Sequence, residues 1–133
     1  MRILIALIIG LLAGALGGVS AYKNLSAGSE VPHAVMWMMR YHFGAVGDAI
    51  QSGQCGPEAV AAHIETLARV ADDLEPVFLP IGDDLDAQFS EHADALKNGI
   101  SQMRNATGSD CKALGAARSD TFDACKACHR DFR

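Results

Sequence analysis

Residues 109–133 read SDCKALGAARSDTFDACKACHRDFR. Leu114, Arg118, Thr121, Cys125, Cys128 and Phe132 recur at three- and four-residue steps, which predicts one face of a helix. Ser109 or Asp110 can open it, because either side chain can accept from the N–H groups that a helix start leaves unpaired. Within the helix, Cys125-Lys126-Ala127-Cys128-His129 has the C-x-x-C-H spacing that attaches c-type haem. Positions i, i+3 and i+4 are neighbours on a helix. Two thiols can therefore reach the vinyl groups on one porphyrin edge while the imidazole comes up to the iron. A redox-active cysteine pair would want a βαβ setting, which this chain lacks. Zinc would want two further Cys or His ligands at matching spacing. The reading is one covalent haem c, held by Cys125 and Cys128, with His129 as the proximal ligand.

Three more amphipathic segments precede this one. The first runs over about residues 30–52, with Val35, Met36, Met39, Phe43, Val46 and Ile50 on its apolar face and Gly53 as its stop. The second starts at Pro57, a residue suited to a first helical turn, and carries Val60, Ile64, Leu67, Ala71 and Leu74. Pro76 and Pro80 read as a break. The third is capped by Asp83 or Asp84, presents Leu85, Phe89, Ala93, Leu96, Ile100 and Met103, and ends at Gly108. Few aromatic residues, abundant alanine and little β-branching after residue 31 favour helices over a sheet. Four such segments with short connections predict an all-α fold, an antiparallel up-down-up-down four-helix bundle over residues 30–133.

An apolar run from Ile3 to Ala21 lies ahead of the bundle, between Arg2 and Lys23. As a leader it offers Val19-Ser20-Ala21 for cleavage. As an anchor it is close to the roughly 20 residues that span a bilayer. Gly10, Gly14 and Gly18 line one face in the small-xxx-small pattern of membrane helices, which favours the anchor. Residues 1–22 are thus an anchor or signal peptide and residues 23–29 a polar tether. Either way Arg2 stays cytoplasmic and the body is exported, to the periplasmic side of a bacterial inner membrane. The net charge of −5 argues against nucleic acid as a partner.

The haem motif on the last helix of such a bundle resembles the cytochrome c′ and cytochrome c556 group. The ending Cys-Lys-Ala-Cys-His-Arg-Asp-Phe-Arg and the first-helix run Met39-Arg40-Tyr41-His42-Phe43-Gly44 carry the likeness. The resemblance puts Met36 on the open side of the iron, where c556-like members use methionine as the sixth ligand. In c′ proteins an apolar residue usually blocks that position and leaves iron five-coordinate. It also implies that Arg133 contacts the haem surroundings. Met39 and Phe43 would pack around the ring. The family often has an arginine where this chain has Pro32.

The bundle topology brings the start of the first helix to the end of the fourth, so Met36 and His129 can flank one haem. The same logic sends Cys55 and Cys111 to the far end, where an oxidising compartment favours a disulfide. His33 is a competing distal ligand. His42, His63 and His92 read as surface or helix-packing residues, and Trp37 as a haem neighbour or an exposed anchor. The acidic residues around the second connection read either as a solvated loop with caps or as a docking patch for a basic redox partner.

The implied function is a His/Met-ligated, low-spin electron carrier that serves a redox partner protein. One alternative is a five-coordinate haem that captures nitric oxide or carbon monoxide. Another is an anchored subunit of a larger membrane electron-transfer complex. The sequence leaves a homodimer open. No nucleophile or general base is apparent, so an enzyme is not expected.

Overall fold

Among the described residues the chain forms five helices: α1 (Arg2–Gln51), α2 (Pro57–Asp72), α3 (Leu74–Phe78), α4 (Asp83–Ala106) and α5 (Cys111–Asp131). The computed structural model describes residues 2–132. It divides into two units, Met1–His33 and Ala34–Arg133, each described by itself.

In the first unit the described side chains between Leu7 and Tyr22 are exposed. Gly10, Gly14 and Gly18 have open space around them. Among the described residues no helix is long and apolar enough to cross a membrane, so the anchor reading of residues 3–21 gains no support here. Residues 23–29, expected as a tether, are helical. Leu25 and Ala27 favour helix, and no proline intervenes before Pro32. Pro32 lies inside α1 and brings no N–H to the helical ladder. The boundary between the units falls just after it.

In the second unit the stretch of α1 from Ala34, together with α2, α4 and α5, forms the bundle. Residue pairings give its direction. Between α1 and α5, Phe43 meets Phe122, Gly47 meets Arg118 and Ile50 meets Gly115. Between α4 and α5, Gln88 meets Asp131 and Gly99 meets Thr121. Between α2 and α4, Glu65 meets Arg104, and just past the end of α2 the α3 residue Glu75 meets Lys97. In each set one number rises as the other falls, so these neighbours run antiparallel, as expected. The core is the set of stripes read from the sequence. Val46, Val60, Ile64, Ile100, Met103 and Leu114 are almost wholly buried. Burying one such side chain contributes roughly 1.5–3 kcal/mol.

Local chemistry sets the ends of the helices. Gly53 and Gly108 take φ of 72° and 84°, where a side chain would be strained, and stop α1 and α4. Asp110 caps α5 by accepting from the Ala113 N–H at 2.7 Å. Two expectations need correction. Gly82, not Asp83 or Asp84, is the N-cap of α4. The Asp86 carboxylate reaches back to accept from the N–H groups of Ile81 and Gly82, at 2.8 and 3.0 Å. Pro76 does not break the chain; it sits in the first turn of α3, where its missing N–H has no partner to lose. Leu85 is 43% exposed because it lies one turn outside Phe89, the first buried residue of α4. Cys55 and Cys111 form the expected disulfide, with Cα atoms 5.4 Å apart.

Candidate functional site

The other two cysteines, Cys125 and Cys128, are free and half-buried in the last turns of α5. Burial raises both thiol pKa values; for Cys125 the neighbouring Cys128 adds to it, and for Cys128 Asp131 does. Reactive redox thiols are the opposite, with depressed pKa values.

Both line a cavity of about 540 Å³, inside the roughly 300–1,000 Å³ range of cofactor sites. His129 lines it from α5 and Met36, Met39 and Phe43 from α1, with Leu67, Leu96 and Ile100 as further apolar wall. The α1–α5 register explains how Met36 reaches it. The pairs 43/122, 47/118 and 50/115 step one residue for one. Carried toward the start of α1, the same steps set Met36 across from His129. Helix regularity thus gathers two thiols, an imidazole and a thioether around one apolar space. That donor set and volume fit a covalently held haem.

Close helix contact shapes the floor. A Cβ at Gly99 would come within 2.7 Å of Thr121 Oγ1, so α4 and α5 approach there as no larger residue allows. Thr121 is fully buried, and its hydroxyl donates to the Ala117 carbonyl at 2.8 Å.

Several wall residues were not foreseen. His92 lines the cavity from α4, and its Nε2 lies 2.9 Å from Asp131 Oδ2, two residues beyond His129. Hydrogen bonds from Arg130 and then His92 hold the Asp131 carboxyl below the usual range. The pairing fastens the last turn of α5 to α4. Arg40, Arg118 and Lys126 also line the wall. In the sequence Arg118 is one member of the face read for the last helix, with nothing to single it out. Its guanidinium carbon lies 4.2 Å from the centre of the Phe43 ring.

Other expected residues lie elsewhere. His33 is exposed and is not part of the wall. Trp37 is 66% exposed and stacks on Tyr41, outside the cavity. His42 and His63 pack α1 against α2, with their Nδ1 atoms 2.8 Å apart. Burial, then the charge of His63, lowers the His42 pKa. Arg133 lies outside the described residues. Among the acidic residues of the second connection, Glu75 accepts from Lys97 and Ser90, at 2.9 and 2.8 Å.

An all-helical bundle whose cavity gathers two cysteines, a histidine and a methionine fits a haem-holding protein. The family model described as Cytochrome C' matches residues 30–133, and the chain belongs to that family. No curated protein and no solved structure matches the chain.

Proposed function

We propose that the protein is a mono-haem electron carrier in which Cys125 and Cys128 hold haem c, His129 is the proximal ligand and Met36 the distal one. The observation that carries this reading is the shared cavity: Met36 and His129 line it together, in register across α1 and α5. Haem, when bound, supplies a one-electron couple. His/Met ligation raises the reduction potential, which suits electron transfer. The apolar wall of Met39, Phe43, Leu96 and Ile100 excludes water from the ring. The His92–Asp131 pair steadies the turn that carries His129. This is a carrier rather than an enzyme, working on the periplasmic side with a redox protein as partner. Fractionation of the full chain against one lacking residues 1–22 tests whether the apolar start acts as an anchor.

The five-coordinate, gas-binding alternative uses the same residues apart from the bond to Met36. Absorption spectra of the reduced protein, with and without carbon monoxide, separate the two. The carrier reading expects a low-spin spectrum that carbon monoxide leaves unchanged. It also expects Met36→Ala to become high-spin and to bind the gas readily. A wild-type protein that is already high-spin and gas-binding would overturn it.

A further inference from the structure

Two histidines that the haem reading leaves unused face each other across α1 and α2. Their Nδ1 atoms stand 2.8 Å apart and their ring centres 5.0 Å apart. Neither residue lines the cavity. Each half-buried ring sits where its helix otherwise turns apolar side chains inward. Met39 and the buried Val46 lie one turn either side of His42, and the buried Val60 and Leu67 one turn either side of His63. Two apolar side chains would fill that seam at less cost, since imidazoles bring polar atoms that burial penalises. Among the described residues each Nδ1 has only the other as its hydrogen-bond partner, and neither Nε2 has one.

Two neutral imidazoles in this arrangement hold one proton between them, donated by one Nδ1 and accepted by the other. Burial, then the charge of His63, lowers the His42 pKa, which keeps that ring neutral at neutral pH. Neutral imidazole is the commonest metal ligand in proteins. With metal–nitrogen bonds of about 2.0–2.1 Å, two nitrogens on one ion stand about 2.8–3.0 Å apart across a right angle and about 3.3–3.4 Å apart across a tetrahedral one. The observed separation matches the right angle, the geometry that copper(II) and nickel(II) prefer with nitrogen ligands. Among the described residues no third His, Cys, Asp or Glu joins the pair. The site therefore offers nitrogen alone, which disfavours calcium and magnesium. We propose that His42 and His63 form a two-histidine site for a divalent transition ion, copper(II) above all, with water completing the coordination. To seat the ion, both rings turn about χ2 until their lone pairs converge, a soft torsion that leaves the helices in place. The proton between them passes through water to the free Nε2 of the donating ring. Both rings thus bind as neutral ligands, and the ion clips α1 to α2.

The site stands apart from the haem reading, and the full-length holoprotein is the sample. Copper(II) chloride is titrated in at neutral pH, and bound ion is counted after equilibrium dialysis. Wild type should take up one copper(II) per chain at micromolar concentration. His42→Gln and His63→Gln should each weaken that uptake by at least the roughly 10–100-fold that loss of a supporting partner costs at a metal site. His33→Gln, which alters an exposed imidazole, should leave it unchanged. A substituted seam can loosen the fold, so the electron paramagnetic resonance of the wild-type copper complex is read as well, and coupling to two imidazole nitrogens is expected. A wild-type chain that takes up no copper at hundreds of micromolar would overturn the proposal. So would uptake that survives either substitution, or a copper signal coupled to fewer than two imidazoles.

Discussion

Replacing Cys55 and Cys111 together by alanine should destabilise the bundle without touching the haem site. The bridged residues are 56 positions apart. Chain-entropy reasoning then gives about 14 cal/mol/K for constraining the unfolded chain, or about 4 kcal/mol at room temperature. Measured effects of native bridges run at roughly 2–5 kcal/mol. Cys55 is also buried, so the loss of its sulfur weakens packing a little further. At roughly 4–8 °C per kcal/mol for a domain of this size, a loss of about 4 kcal/mol should lower the midpoint by about 16–32 °C. The haem should not sense the change. Cys111 and Cys125 sit at opposite ends of α5, separated by about 21 Å at about 1.5 Å per residue. Thermal unfolding followed by circular dichroism reads the first expectation, and the absorption spectrum of the same samples reads the second. A midpoint drop under about 3 °C would refute the entropic reasoning. A changed ligand spectrum would refute the independence of the two ends.

Gly99→Ala should cost about 1–3 kcal/mol by overpacking the α4–α5 contact, since Thr121 is buried, its hydroxyl is committed, and its Cα lies 3.1 Å from the new Cβ. Denaturant unfolding checks this, and wild-type stability in the variant would show that the helices can separate there at no cost. Acid should weaken the α1–α2 contact through His42, whose pKa burial and then His63 hold below the usual value. A histidine with a lowered folded pKa gives its full stabilisation above the unfolded value of about 6.5 and loses it as pH falls toward the folded one. His63 and Tyr41 are the titratable groups facing it. His42→Gln should therefore flatten the stability profile on the acid side of neutrality; an unaltered slope would remove His42 as the cause.

How legible each part was depends on how local its cause is. The cap at Asp110, the stops at Gly53 and Gly108 and the α5 stripe follow from single residues and helix periodicity, and all appear in the structure. Pro76 misled because its rule depends on position: proline breaks a helix interior but is tolerated in a first turn. The start of α4 misled because Gly82 takes the N-cap position while Asp86, from inside the helix, holds the Ile81 and Gly82 N–H groups just ahead of it. His92 was legible only as a surface or helix-packing residue, because its partner Asp131 arrives from another helix. Arg118 was read only as part of the α5 face, because its placement depends on the Gly47 notch of another helix and the cavity beside it.

Charge shows most clearly why a site must be read from its own wall. The chain carries a net charge of −5, and its acidic connection invited a picture of a basic partner drawn toward the haem end. Yet Glu75 is engaged by Lys97 and Ser90, and Asp86 by backbone N–H groups. These carboxylates do local structural work, and the wall of the cavity itself carries Arg40, Arg118 and Lys126. Fields from charges more than about 10 Å away are largely screened at ordinary ionic strength. At the cavity the charges of that wall count for more than the average of the chain. The charge beside the cavity is therefore a property of a few residues on α1 and α5, of which Lys126 is already paired with Asp123.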